Sequence, residues 1–365
     1  MIKKFCIFTA ASLLICLGLA SCGSDDNNEP TPPETDNPTP PSGGDDDIVF
    51  AKGADVSWVT ELEDKGNKFY SPQGKEMECM QLLRDHCGVN AIRLRVWVNP
   101  SDKYNSIEDV MVKARRAHKL GLRLMIDFHL SDNWADPGKQ IVPEAWKSFT
   151  PAQMADAVAA HVTEMLRALK SEDITPEWVQ IGNETTPGML HPLGEMRDSN
   201  PGEFPRFLNA GYDAVKKIFP DAQVIVHLDA GNKKGTYRWF FDLLNKHNGR
   251  YDMIGMSLYP ENETYDPSWS VSTDESAIND CIDNMIELSR RYGKKIMLCE
   301  IGFHHSRPEE CRRAISKIIS SMADYDILRG IFYWEPESEP ENTGYHKGCF
   351  KNGRPTVALD PFIEK

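Results

Sequence analysis

The feature that most constrains the fold is a regular alternation of strand-like and helix-like segments that begins at Gly53 and continues to the C-terminal end. Eight short apolar runs, Gly53–Trp58, Ala91–Trp97, Arg123–Phe128, Trp178–Asn183, Gln223–Leu228, Met253–Leu258, Lys295–Cys299 and Gly330–Trp334, are separated by stretches of helical spacing. Thr150-Pro151-Ala152-Gln153 reads as a capping box with proline in the first turn. Met154, Val158, His161, Met165 and Leu169 then follow at three- or four-residue steps. Ser306-Arg307-Pro308-Glu309 opens another helix, with Cys311, Ala314, Ile315, Ile318 and Met322 as its inner face. Ser106-Ile107-Glu108-Asp109 and Thr273-Asp274-Glu275-Ser276 read as further starts, and Gly88, Gly121 and Gly293 as stops. Eight such units between residues 51 and 365 predict an α/β fold of the (β/α)8 TIM barrel type. The long segments Ser131–Thr150, Thr185–Asn200 and Tyr259–Thr273 then become loops over its top face. A doubly wound open sheet also alternates, but no GxGxxG follows the first strand, which counts against its dinucleotide-binding form.

The first fifty residues belong to neither strand nor helix of this pattern. Residues 1–22 have the layout of an export signal: Lys3 and Lys4, an apolar stretch from Phe5 to Leu19, then small residues before a cysteine. Leu19-Ala20-Ser21-Cys22 resembles a bacterial lipobox, which makes Cys22 the expected lipidated N-terminus of the mature protein. Residues 23–50 form an acidic, proline-rich tether that cannot build a core. Its Ser24-Asp25-Asp26-Asn27 start resembles signals that place Gram-negative lipoproteins on the outer face of the outer membrane. Residues 51–365 remain as one domain, expected to be monomeric. The chain carries a net charge of −14, of which Asp25, Asp26, Glu29, Glu34, Asp36, Asp45, Asp46 and Asp47 in the tether supply a large part. Such a balance excludes nucleic acid as a partner and suits a neutral or acidic ligand. Of nine cysteines, Cys79, Cys87, Cys281, Cys299, Cys311 and Cys349 lie in the domain. Export permits disulfides, but Cys79 and Cys87 stand about 12 Å apart along one helix, too far to bridge. The pairing stays open.

In a barrel of this kind chemistry happens at the carboxyl ends of the strands, where this sequence is strongly polar and aromatic. Arg93, Arg95, Trp97, Asp127, His129, Asp132, Trp134, Asn183, Glu184, His227, Asp229, Tyr259, Glu300, Trp334 and Glu335 all fall there. Glu184 and Glu300 close the fourth and seventh strands, which face each other across an eight-membered ring. Two carboxyls held across a pocket are what cleavage of a glycosidic bond requires, one protonating the leaving oxygen and the other attacking the anomeric carbon. Arg93 and Arg95 share the inner face of their strand and need anionic partners. One partner is the nucleophile, which a nearby cation keeps ionised; the other reading pairs them with Asp55 or Asp127 in the barrel floor. Trp97, Trp134 and Trp334 read as sugar-stacking platforms. His304-His305 invites a metal, but no ligand spacing such as HExxH accompanies it, so no metal is assigned.

Several longer motifs carry a resemblance. Gly53-Ala54-Asp55-Val56-Ser57-Trp58, Arg93-Leu94-Arg95-Val96-Trp97, Asp127–Gln140, Gln180-Ile181-Gly182-Asn183-Glu184 and Ile254-Gly255-Met256-Ser257-Leu258-Tyr259-Pro260 resemble the strand-end segments of glycoside hydrolase family 53, in clan A, whose members are endo-β-1,4-galactanases cutting type I arabinogalactan. The long third-strand segment is the most specific part. The resemblance implies a polysaccharide substrate, Glu184 as general acid/base and Glu300 as nucleophile. It further implies Asn183 on the sugar 2-hydroxyl, Arg95 and Tyr259 orienting Glu300, and Trp334 under the scissile sugar. His129, Asp132, Trp134, His227 and Asp229 would line the cleft. The seventh strand reads Cys299-Glu300-Ile301-Gly302-Phe303, a departure from the family's usual Glu-Thr-Ala-Tyr that touches the neighbouring subsite but not the glutamate. No cofactor is required; some relatives hold calcium in the last long loop, and the short Glu335–Gly353 segment here admits a structural calcium without demanding one. The competing expectations are a clan A hydrolase of a β-mannan or β-glucan, and a surface lipoprotein that binds glycan without turnover.

Overall fold

Parallel strands buried on both faces need apolar residues throughout, and the eight runs meet that need by giving one face to the helices and the other to the barrel interior. The computed structural model describes residues 49–260 and 271–364. The barrel strands are β1 (Ala51–Asp55), β2 (Ala91–Val96), β3 (Arg123–Phe128), β4 (Trp178–Ile181), β5 (Gln223–Leu228), β6 (Met253–Leu258), β7 (Lys295–Ile301) and β8 (Leu328–Trp334). Each pairs in parallel with the next, and β1 pairs with both β2 and β8, so the sheet closes on itself. Among the described residues this is the closed (β/α)8 barrel that the alternation predicts.

The connecting helices are α1 (Cys79–Cys87), α2 (Ile107–Lys119), α3 (Pro151–Lys170), α4 (Phe204–Ile218), α5 (Lys234–Lys246), α6 (Val271–Tyr292) and α7 (Pro308–Met322). Thr150 and Gln153 form the expected reciprocal cap of α3, and Met154, Val158, His161, Met165 and Leu169 are all buried. Ser106 caps α2 through the Asp109 amide, and Gly88, Gly121 and Gly293 all end their helices with positive φ. Helix α6 begins at Val271, two residues before the expected Thr273 start. Among the described residues the only α-helix after β8 is the single turn Pro340–Thr343. The 3₁₀ turn Val357–Phe362 packs instead between α1 and α7 and closes the outer ring. Of the Tyr259–Thr273 loop only the two ends are described, and the signal, Cys22 and the tether up to residue 48 lie outside the described residues. Cys79, Cys87, Cys281, Cys299 and Cys349 are buried thiols.

Inside the barrel the floor is apolar, made of Ala51, Ala91, Met125, Trp178, Ile225, Met253, Met297, Cys299 and Phe332. Phe332 fits because Gly53 faces it: a Cβ at that position would stand 2.2 Å from the ring. Above this plug the inward residues turn polar, and they form the base of the site. The first strand ends at Asp55 rather than Trp58, which instead starts the short helix Val59–Asp64.

Candidate active site

The chain leaves several strands through backbone conformations that L-residues seldom adopt. Leu130, Glu184, Ala230 and Glu335 follow β3, β4, β5 and β8, and all four have positive φ, between 44° and 53°. Such conformations cost an L-residue free energy, and here they stand where the chain leaves the strands at the barrel mouth. Gly182, with φ 83°, makes the turn that lifts Asn183 and Glu184 above the sheet. Gln140 clamps this turn from the third-strand loop, its Nε2 donating to the Asn183 carbonyl at 2.9 Å.

Arg93 is the hub of the polar layer. Its guanidinium, fully buried, reaches Asp55 Oδ2 at 2.7 Å, Asp127 Oδ2 at 2.8 Å and Glu300 Oε1 at 2.9 Å. It also donates to Asn183 Oδ1 at 2.9 Å. Both sequence readings of this arginine therefore hold together, since the same side chain neutralises the floor aspartates and faces Glu300. Arg95 departs from expectation. It does not orient Glu300; it pairs with Glu335 Oε1 at 2.5 Å, and its guanidinium lies among the rings of Trp58, Trp97 and Trp134, 5.2, 5.5 and 4.4 Å from their centroids. Glu335 Oε2 accepts the Trp58 amide at 3.1 Å, which ties β8 to the chain leaving β1.

Glu300 and Glu184 are held by different neighbours. The Tyr259 hydroxyl donates to Glu300 Oε2 at 2.8 Å, so each oxygen of Glu300 has its own partner. Burial raises the Glu300 carboxyl to about 7, while Arg93 and Tyr259 pull it down. Glu184 is pushed well above the usual carboxylate range by burial and by the negative charge of Glu300, with the Ser257 hydroxyl working the other way. Glu300 is thus the first of the pair to ionise and Glu184 keeps its proton longer.

A polar chain runs beneath Glu184. His227 Nδ1 stands 3.0 Å from Gln180 Nε2 and 3.5 Å from the Glu184 amide, both donors, and its Nε2 is 2.8 Å from Ser257 Oγ. Asn183 Oδ1, an acceptor, lies 3.0 Å from the same Nδ1, so the ring joins Gln180, Asn183 and Ser257 in one polar network, and the Ser257 hydroxyl in turn bonds Glu184. Burial and Arg93 depress the His227 pKa well below normal, so the ring is neutral. Asn183 is fixed through Oδ1 by Arg93 and Gln180 and through Nδ2 by the Ala135 carbonyl at 2.8 Å.

Three residues expected in the cleft wall stand elsewhere. His227 is fully buried under Glu184. His129 is 4% exposed; its Nε2 faces Asp127 at 3.1 Å and its Nδ1 accepts the Ala135 amide, so it anchors the third-strand loop. Asp132 spends its two oxygens on the backbone amides of Asn99 and Glu144 and braces that loop against its neighbour. A polar residue just beyond a strand marks the layer, but not whether a loop folds over it. Asp229 does reach the cleft, with the Thr186 hydroxyl on its Oδ1.

The cleft has a volume of about 630 Å³, and Glu184, Asp229, Tyr259, Tyr345 and Lys347 are among the residues that line it. Beside it lies an aromatic bed in which Trp334, Trp134 and Trp58 meet edge to face or tilted, with centroids 5.2 to 5.9 Å apart. Tyr345 packs on Trp334 at 4.7 Å. Trp58 and Tyr345 were missed by the sequence reading, although Trp58 stands directly after the Asp55 strand and had the same signal as Trp97. Such a bed accepts the C–H face of a pyranose, and the paired carboxyls beside it can exchange a proton and attack a carbon.

Comparison with known proteins gives a consistent picture. The sequence model of glycosyl hydrolase family 53 matches residues 51–314. An arabinogalactan endo-β-1,4-galactanase of Cellvibrio japonicus is 33% identical over 268 residues, which is 71% of this chain and 67% of that protein. A probable arabinogalactan endo-β-1,4-galactanase A of Aspergillus terreus is 30% identical over 329 residues, 82% of this chain and 89% of that one. Among solved structures, a fungal β-1,4-galactanase superposes with a TM-score of 0.74 at 27% identity, covering 86% of this chain and 99% of the other. The family 53 catalytic domain of Ignisphaera aggregans gives 0.75 at 28% identity, covering 89% and 98%.

Proposed function

Because the chain belongs to glycosyl hydrolase family 53, we propose that it is a retaining endo-β-1,4-galactanase that cleaves β-1,4-galactosidic bonds of type I arabinogalactan and pectic galactan. The observation that carries this reading is the pairing of Glu184 and Glu300 in unlike surroundings, one held neutral and the other facing Arg93 and Tyr259.

In the first step Glu300 attacks the anomeric carbon while Glu184 gives its proton to the departing glycosidic oxygen, and a glycosyl ester on Glu300 forms. Losing the Glu300 charge to that ester lowers the Glu184 pKa, so Glu184 can take a proton from water in the second step. The hydroxide attacks the same carbon and Glu300 leaves, so configuration is retained. Arg93 and Tyr259 favour the ionised form of Glu300 against the burial that raises it, and His227 and Ser257 fix the direction of the Glu184 carboxyl. Asn183 has a second Nδ2 hydrogen beyond the one given to Ala135, which suits the sugar 2-hydroxyl. Trp334, with Trp134 and Trp58, floors the subsite. Arg95 acts through Glu335 to hold the tryptophans in place.

The reaction needs no cofactor. A structural calcium would want several oxygen ligands. Among the described residues the one cluster of His, Cys, Asp or Glu spaced to share an ion is made of histidines alone, so nothing supports calcium. Outside the catalytic domain, the lipobox at Cys22 and the acidic tether support an exported lipoprotein anchored in the outer membrane with its cleft facing the medium, and the single domain is read as a monomer. Hydrolysis assays on pectic galactan, β-mannan and carboxymethylcellulose test the substrate: galactan is expected to be cut fastest, and preference for either of the others would overturn the assignment.

A further inference from the structure

His304 and His305 follow β7, four and five residues beyond Glu300, and His346 lies in the loop after β8. The structure brings them together: one nitrogen from each lies within 4.8 Å of the others. We propose that His304, His305 and His346 form a binding site for a borderline-soft divalent cation of the zinc class, and that the ion pins the β7 loop to the β8 loop at the rim of the cleft.

The donor set decides the class of ion. Three imidazoles with no carboxylate suit zinc and its transition-metal neighbours and give little to calcium or magnesium, which want oxygen. The site is also prepared in the way such sites are. His304 Nδ1 lies 2.7 Å from Ser306 Oγ and accepts the Ser306 amide at 3.4 Å, so the turn of its own loop holds the ring in place, as the rings of ligating histidines are held. The His305 amide donates to the His346 carbonyl at 2.8 Å, so the two loops are already joined by backbone. The His304 and His346 rings lie nearly parallel, at 4°, with centroids 5.9 Å apart, and His304 and His305 are 4.6 Å apart. His346 is exposed and leaves an approach from solvent for the ion and for a water as fourth ligand.

The position gives the ion a consequence. His346 lies between Tyr345, which packs on Trp334, and Lys347, whose ammonium stands 4.7 Å over the Tyr259 ring. Gly302, two residues before His304, touches the same group: a Cβ there would meet Tyr259 at 2.9 Å and the Tyr345 hydroxyl at 3.0 Å. An ion on the three histidines therefore fixes the segment that borders the sugar-binding bed. The sequence pair His304-His305 carried no ligand spacing because the third donor comes from another loop, brought near by the β7–β8 pairing.

The test uses the whole untagged chain, stripped of metal with a chelator and titrated with zinc chloride by calorimetry. One equivalent is expected to bind, the melting temperature is expected to rise with zinc as binding to the folded state requires, and millimolar calcium or magnesium should not compete. His346→Ala, at an exposed position, should leave the zinc-free melting temperature unchanged and weaken zinc binding at least ~tenfold; His305→Ala should do the same to binding. Absence of saturable zinc binding, or His346→Ala binding zinc as tightly as the unaltered chain, would overturn the proposal, the latter by placing the ion elsewhere. Calorimetry reads the site without galactan hydrolysis, so failure of one reading leaves the other standing.

Discussion

Replacing Tyr259 by Phe removes one hydroxyl and keeps the ring on which Lys347 rests. That hydroxyl donates to Glu300 Oε2 at 2.8 Å, and a hydrogen bond to a charged acceptor is worth about 1.5–3 kcal/mol. The bond favours the ionised carboxylate, so its loss favours protonation, and at about 1.4 kcal/mol per unit the Glu300 pKa should rise by roughly one to two units. The reaction needs Glu300 ionised and Glu184 protonated, so kcat/KM against pH is a bell whose acid limb is set by Glu300 and whose alkaline limb is set by Glu184. In the Tyr259→Phe protein the acid limb should move up by that amount. Below it the rate should fall about 10- to 100-fold; above it the fall should stay within about tenfold, because the attacking oxygen gives up its charge in the same step and the lost bond was weakening there too. The assay is the pH profile of kcat/KM on a soluble β-1,4-galactooligosaccharide, with a thermal melt as control. An acid limb that stays within ~0.3 unit of the unaltered enzyme, or moves down, would refute the role given to Tyr259 and to Glu300.

The two arginines should separate cleanly. Arg93→Lys should shift the acid limb upward because one ammonium cannot face Asp55, Asp127 and Glu300 together as the guanidinium does, whereas Arg95→Met should leave the limb in place and cost about 3–5 kcal/mol of stability by stranding Glu335. That cost should grow with pH, since burial already raises Glu335 to about 7 and it can escape its charge by protonating below that. Thermal melts across pH, beside the kinetic profiles, check both. Glu184→Gln should abolish most turnover and yet melt higher than the unaltered chain in mildly alkaline buffer. The raised Glu184 pKa lets the folded state hold a proton that the unfolded chain has released above the ordinary carboxylate range, so stability is lost as pH rises, and the amide removes that dependence. The two melting temperatures should converge in acid. Trp334→Ala should raise KM by about tenfold or more with a smaller effect on kcat, measured on galactooligosaccharides of increasing length, because it removes stacking area from the subsite floor.

The strands, their order and the closure of the barrel were legible because parallel strands must be apolar along their whole length and because turn signals punctuate them. The Glu184 and Glu300 positions were legible for the opposite reason: a carboxyl at the end of such a strand has no packing role. What was not legible is height within the barrel and what covers it. Period-two alternation places Arg93 and Arg95 on the same inner face, but only the register tells which one is level with the reacting carboxyl. Asp55 pairs in register with Arg93 and also with Trp334, so the residue after Trp334, Glu335, is carried across the β1–β8 seam to Arg95. No local pattern contains that contact. His129, His227 and Asp132 show the same limit, since each marks the polar layer correctly while the third-strand loop or Glu184 itself lies over it. His346 was invisible as a partner of His304 and His305 for the same non-local reason.

The central claim is that Glu300 attacks and Glu184 delivers the proton, and trapping the glycosyl-enzyme tests it directly. A fluorine beside the anomeric carbon of an activated β-galactobioside slows both steps, and a good leaving group restores the first, so the ester accumulates and can be located by mass spectrometry of peptides. The leaving group departs as the ester forms, so the mass of one galactobiosyl group carrying a single fluorine on the peptide containing Glu300 is the predicted result. The same mass on the peptide containing Glu184, or no covalent adduct while the probe is hydrolysed, would contradict the account.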